Sequence, residues 1–231
     1  MRGIDSGPKA TFELEAVSIR LTGGPVAGVD EAGRGPLAGP VVAAAVVLDP
    51  HNIPGGIADS KLLDADVREI LFDRIMATAR VGVGVASVAR IDRDNILQAT
   101  LWAMRQAVKS LDPAPVVALV DGNQPPRLKC ETRCIVRGDS KCLSIAAASI
   151  IAKVTRDRLM MKLGDAFPGY GFERHKGYST PEHQAAISRL GVTPHHRRSF
   201  RPIQLALGLL PPEDLVAAAA HPAQDFAALT D

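Results

Sequence analysis

The sequence predicts an α/β or α+β domain built on a mixed β-sheet. Three observations carry that expectation. Short apolar runs rich in β-branched residues recur from residue 26 onward. Stretches with apolar residues at helical spacing lie between them. Strands come first, and strands alternating with helices follow.

The elements follow in chain order. Residues 1–24 are mixed, end in Thr22-Gly23-Gly24 and form a short lead-in. Val26 to Val29 is a brief apolar run that stops at Asp30. Val41 to Leu48 is continuous and β-branched, as a buried strand should be. Ala65 to Ala79 places Val67, Ile70, Leu71 and Ile75 on one helical face. Val81 to Val88 alternates Val with Gly, Ala and Ser, a third strand whose glycines call for close packing against another element. Asp94 to Ser110 predicts a helix with Ile96, Leu97, Leu101, Met104 and Val108 facing inward. Val116 to Val120 is a fourth strand stopping at Asp121, and Cys134 to Val136 a short fifth. Ser144 to Leu163 is the longest helix, rich in Ala and Ile before it turns charged. Pro181 to Leu190 is a helix with Pro in its first turn and Gly191 as its stop. The compositional break near Pro202 separates a tail, with a short helix expected at Asp214 to Ala220.

The chain has 231 residues, 46% hydrophobic and 23% charged, ordinary values for a globular protein. Its net charge is +2, so no global field is implied, but the charge is uneven. Tyr170 to Arg201 is strongly basic, a stretch that suits a polyanion or a solvated face equally. Pro202 to Asp231 has Glu213, Asp214, Asp225 and Asp231 but no Lys or Arg. Cys130, Cys134 and Cys142 are an odd count with spacing too loose for a structural zinc site, and reduced thiols are expected. Met1 to Ile19 lacks the apolar core of a signal peptide, and the longest apolar run is far too short for a bilayer. A cytoplasmic protein without membrane contact is therefore expected.

The chemistry lies in carboxylates at strand ends. Asp30-Glu31, Asp121 and Asp139 each follow an apolar run, which would gather them at one edge of the sheet. Clustered carboxylates repel one another unless a cation neutralises them. Oxygen ligands without His or Cys suit Mg²⁺ or Mn²⁺. Asp after a strand is also a common turn or capping residue, and the pattern alone fits many metal-dependent phosphotransferases. Gly33-Arg34-Gly35 follows directly, where backbone can approach a ligand and an Arg can grip phosphate, or where the chain simply turns.

The stretch Gly28-Val29-Asp30-Glu31-Ala32-Gly33-Arg34-Gly35-Pro36-Leu37-Ala38-Gly39-Pro40-Val41-Val42 resembles the opening motif of bacterial ribonuclease HII, the type 2 ribonucleases H. The resemblance continues at Asp59-Ser60-Lys61-Leu62, Val120-Asp121-Gly122-Asn123, Gly138-Asp139-Ser140-Lys141 and Ile145 to Asp157. It resumes at Tyr170-Gly171-Phe172, His175-Lys176-Gly177-Tyr178-Ser179-Thr180, Gly191-Val192-Thr193-Pro194 and His196-Arg197-Arg198-Ser199-Phe200. The motifs run in family order from about residue 25 to 203.

That resemblance implies an α/β, ribonuclease H-like fold: a mixed central β-sheet flanked by helices, with a helical C-terminal extension. It implies a catalytic domain over 25–203, preceded by the lead-in 1–24 and followed by an acidic, alanine-rich tail at 204–231. Asp30, Glu31, Asp121 and Asp139 would hold two Mg²⁺ or Mn²⁺ ions. Asp157 is a rival for the fourth place, although an i,i+4 ion pair with Lys153 explains it more simply. The Gly33, Arg34 and Gly35 backbone would touch the ribose 2′-OH, and Tyr178 would stack near the RNA-to-DNA junction sugar. Lys61 and Lys141 would contact backbone phosphates with help from Ser60 and Ser140, and Lys176, Arg197 and Arg198 would extend that footprint. His175, His183, His195 and His196 could titrate near neutral pH and are not expected to bind metal.

The implied activity is hydrolysis of the RNA strand of RNA–DNA hybrids and nicking 5′ of single ribonucleotides in duplex DNA. It would leave a 3′-hydroxyl and a 5′-phosphate, remove ribonucleotides in replication and repair, and be carried out by a monomer. Another metal nuclease of the same broad fold would not need the Gly-Arg-Gly loop or Tyr178. A silent hybrid-binding module would usually have a broken carboxylate set.

Overall fold

The computed structural model describes residues 10–210. Among them, five strands form one sheet: β1 (Val26–Ala32), β2 (Val41–Val47), β3 (Arg80–Ala86), β4 (Val117–Asp121) and β5 (Glu131–Ile135), in the order β3-β2-β1-β4-β5. β1, β2 and β3 are antiparallel neighbours, whereas β4 and β5 run parallel to β1. The mixed sheet expected from the sequence is present, and β2 is buried along its whole length because both faces are covered.

Helix α4 (Ile96–Lys109) covers one face through Ala99, Ala103, Met104 and Ala107, packed on Val41, Ala43 and Ala45 of β2. Helix α5 (Leu143–Ala166) covers the other, with α2 (Ala65–Thr78) beside it, against Ala44 and Val46. The glycines of β3 have the expected cause: a Cβ at Gly82 would meet the Ala107 carbonyl at 2.1 Å, and one at Gly84 the Ala103 carbonyl at 2.0 Å.

The lead-in holds more structure than its composition suggests. Helix α1 (Glu13–Thr22) docks near the start of α5, and the buried Glu15 accepts hydrogen bonds from Ser144 N and Ser144 Oγ, both at 2.7 Å. Cys142, the residue before α5, makes no side-chain cap, so Glu15 caps that helix from another element.

Several boundaries differ from expectation, and β5 starts earlier than Cys134, at Glu131, and ends at Ile135. Asp30 and Glu31 lie within β1 rather than beyond its end. The helix expected from Asp94 to Ser110 is present as α4, and a short helix that was not expected, α3 (Val88–Asp94), precedes it and takes Val88 from the third strand. They part at Asn95, whose φ of 66° breaks the helix while its side chain caps Gln98 N at 3.0 Å.

Three further helices, α6 (Phe172–His175), α7 (Pro181–Leu190) and α8 (Arg201–Ala206), complete the C-terminal part. Helix α7 has the expected limits, with Thr180 at its start and Gly191 at its end. The helix expected at Asp214 lies outside the described residues. No described helix is long and apolar enough to cross a membrane.

Candidate active site

The parallel pairing of β1 and β4 brings two carboxylates together. Val29 lies beside Val120, so Asp30 and Asp121 follow at the same level of adjacent strands. Asp139 arrives from a 3-10 turn, Gly138–Ser140, which leads into α5. The turn is tied to β4 by Gly138 N donating to Asp121 Oδ1 at 2.6 Å. Asp30, Asp121 and Asp139 each offer an oxygen, and the three oxygens lie within 4.8 Å of one another. Asp157 is not in this group; it pairs with Lys153 at 2.8 Å, as its spacing suggested.

Alternation along β1 turns Glu31 to the other side of the strand from Asp30. Glu31 stands outside the tight group and faces Arg34 at 3.4 Å. It lines a cleft of about 350 Å³ that also includes Asp121, Asn123, Leu97, Leu101 and Met104.

These acids are held in an environment that resists their charge. Burial, then Glu31 and Asp121, push the Asp30 carboxyl well above the usual carboxylate range. Burial also raises Asp121, opposed by the Gly138 amide and reinforced by Asp139. Burial raises Glu31 too, with Arg34 opposing it. Lys61 Nζ, 3.2 Å from Asp139 Oδ2, is the cation paired with the group, and its side chain is 77% exposed. Buried oxygen donors that repel one another fit a hard divalent cation.

Beside the acids, the loop from Gly33 to Pro40 is fastened from behind by two buried arginines. Arg197, fully buried, donates to the carbonyls of Gly33, Arg34 and Gly39. Arg156 of α5 donates to Pro40 O at 3.0 Å, Ala38 O at 3.2 Å and Lys176 O at 3.0 Å. Gly33 has a φ of +94°, and a Cβ there would meet Arg156 Nε at 1.9 Å, so the glycine admits the guanidinium. The expectation that Arg197 contacts phosphate is thereby corrected: its N–H groups are spent on main-chain carbonyls, away from solvent.

The other expected contacts sit at the surface. Tyr178 is 47% exposed, with its ring near Gly35, where an added Cβ would lie 3.7 Å from Tyr178 Cε1. Lys141 Nζ donates to Val136 O at 2.8 Å. Lys176 Nζ folds back on the Glu173 carbonyl. Arg198 is exposed, while its main-chain N–H donates to Asp92 at 3.1 Å. Ser60 is anchored by donating its amide to Ser149 Oγ at 3.2 Å, and Ser140 Oγ donates to Arg137 O at 2.9 Å.

The ribonuclease HII family model matches residues 27–203, the span that holds every group described above. The chain belongs to the ribonuclease HII family. It is a ribonuclease H, a metal-dependent nuclease acting on the RNA of RNA–DNA hybrids. Ribonuclease HII of Azorhizobium caulinodans is 61% identical over 194 residues, covering 84% of this chain and 75% of that protein. Ribonuclease HII of Bradyrhizobium diazoefficiens is 60% identical over 198 residues, covering 86% and 76%. The solved ribonuclease H2 of Pyrococcus horikoshii superposes with a TM-score of 0.69 at 31% identity, covering 80% of this chain and 98% of that one.

Nothing in the sequence assigns Arg156 a role, and the four histidines were expected in the neutral range. The structure buries His183 and His196 fully and holds them side by side. Burial lowers His183, and burial together with His183 brings His196 down to about 4. A hint was available: Arg156 follows the long buried stretch of α5, where a charged residue needs partners.

Proposed function

We propose that this protein nicks duplex DNA 5′ of single embedded ribonucleotides as well as cutting the RNA strand of hybrids. The products are a 3′-hydroxyl and a 5′-phosphate, and the role is removal of ribonucleotides from DNA during replication and repair. The observation that carries the reading is the close group of Asp30, Asp121 and Asp139, two of them buried, beside a loop that meets Tyr178. We assign Asp30, Glu31, Asp121 and Asp139 to two divalent ions, Mg²⁺ or Mn²⁺. Such ions, when bound, activate the attacking water and offset charge developing at the scissile phosphate.

The chain's own groups then orient the substrate. The amides of Arg34 and Gly35 meet no acceptor among the described residues and are free to face the 2′-OH of the ribonucleotide. The exposed ring of Tyr178 stacks on the sugar at the RNA-to-DNA junction. Lys61 holds positive charge beside Asp139, close to where a phosphate must sit. Lys141 and Arg198 extend the phosphate contacts without reading bases, so cleavage is independent of sequence. Lys176 acts through its carbonyl, on Arg156, more than through its amine.

The test is a labelled DNA duplex carrying one ribonucleotide, incubated with Mg²⁺, Mn²⁺ or EDTA beside an Asp121→Asn variant. One nick 5′ of the ribonucleotide, lost with EDTA and in the variant, is the expected result. Cleavage of long hybrids without that nick would remove the junction-reading role of Tyr178.

A further inference from the structure

Behind Tyr178 lies a chain of hydrogen bonds that passes through two histidines. Thr193 N donates to His196 Nδ1 at 2.9 Å, and Thr193 Oγ1 lies 2.8 Å from the same atom. Nδ1 is therefore an acceptor, and neutral His196 carries its proton on Nε2. That Nε2 is 3.0 Å from His183 Nε2. Only one proton fits between two ring nitrogens, so His183 Nε2 accepts and its proton sits on Nδ1. His183 Nδ1 lies 2.9 Å from the Tyr178 carbonyl oxygen, to which it donates. The direction is thus fixed from Thr193 through His196 and His183 to Tyr178, with both rings neutral.

The surroundings suit that arrangement. His175 stacks on His183 with ring centroids 4.5 Å apart, and the Phe172 ring meets His183 edge-on at 5.5 Å. His175 is itself committed, with Nε2 2.8 Å from Tyr170 O and Nδ1 accepting from Gly177 N at 3.2 Å. His196 also pairs its main chain with Ala38, and its neighbour Arg197 holds Gly33 and Arg34. The segment that fixes the glycine loop is the one that orients His183.

We infer that His183 is a positioning residue: its Nδ1–H holds the main chain of Tyr178, His196 locks the ring that does so, and together they set recognition of an isolated ribonucleotide. The inference rests on the junction-reading role proposed for Tyr178. Neither histidine belongs to the carboxylate group. A long hybrid offers neighbouring ribonucleotides to the site, so a shifted Tyr178 costs less there than at a lone ribonucleotide.

Two measurements test this on the full-length protein. In the first, ¹⁵N NMR of histidine-labelled protein at neutral pH reads the tautomers. A proton on His183 Nδ1 and on His196 Nε2 is expected; reversed tautomers or a charged ring would overturn the inference. In the second, kcat/KM for a single-ribonucleotide duplex is divided by that for a long hybrid, in the parent, Tyr178→Ala, His183→Asn and His183→Gln. The Asn amide can replace the Nδ1–H donor, whereas the Gln amide reaches the Nε2 position and leaves the Tyr178 carbonyl with the Thr180 amide alone, at 2.8 Å. The ratio is expected to fall about five- to tenfold in His183→Gln, as for one lost hydrogen bond, and to stay within about twofold in His183→Asn. Equal losses in both variants, or equal losses on both substrates, would reduce His183 to packing and overturn the inference. An unchanged ratio in His183→Gln with a fall in Tyr178→Ala would overturn the inference and leave the Tyr178 reading standing. An unchanged ratio in Tyr178→Ala would sink that reading and the inference with it.

Discussion

Asp30 is a charge placed where charge is unwelcome. Its raised carboxyl means that the native state holds a proton there more tightly than the unfolded chain does. Ionisation at neutral pH therefore subtracts from stability until a cation replaces the proton. Asp30→Asn removes the charge but keeps the Oδ1 that accepts from Glu31 N at 2.7 Å. The metal-free variant is expected to melt roughly 2–5 °C higher than the parent. Its cleavage rate should fall by on the order of 10²–10³. Calorimetry with and without Mg²⁺, beside a nicking assay, checks both; an active variant, or one that melts lower, refutes the account. At this scale the carboxylates were legible because each follows an apolar run, and runs mark strands. Arg197 was expected at the phosphates because the resemblance implies that role and the basic stretch around it suits a polyanion. Its partners are main-chain carbonyls, which carry no signature in residue type.

Among the elements, α5 has the largest task, since it packs against β1 and β2 and begins at the turn bearing Asp139. Its first amides need acceptors, and Glu15 of α1 supplies one to Ser144. Glu15→Ala is expected to cost about 1–2 kcal/mol, or roughly 2–8 °C in Tm. Glu15→Gln, which keeps an acceptor, should cost less. Thermal melts of the two variants decide the matter: equal losses would mean that packing, not the cap, is what α1 provides. Strand and helix positions were legible from apolar spacing, and α7 from its Pro and Gly limits. The docking of α1 was not, because one Glu in a mixed segment gives no sign of a cap that it makes 129 residues away. The break at Asn95 left a weak trace, for Asn is both a good cap and tolerant of positive φ.

For the molecule as a whole, stability depends on groups kept neutral by burial. His196 has an ordinary value of 6.5 when unfolded and about 4 when folded. Below pH 6.5 the unfolded chain gains a proton that the native state refuses, so this contribution is lost as pH falls toward 4. Glu15, Asp30 and Glu31 are shifted upward and act in the opposite sense as pH falls. The difference between the parent and His196→Gln therefore isolates the histidine. Urea unfolding from pH 7 to 4 should show the parent losing stability more steeply than the variant, and parallel curves would reject the assignment. The two buried arginines have a consequence of another kind. By holding the oxygens of Gly33, Arg34, Ala38, Gly39 and Pro40, they forbid those peptide planes to flip. Five carbonyl dipoles of the loop are thereby turned toward the protein, away from the side where the Arg34 and Gly35 amides meet no acceptor among the described residues. That polarity exists before any substrate arrives and needs no rearrangement to be used.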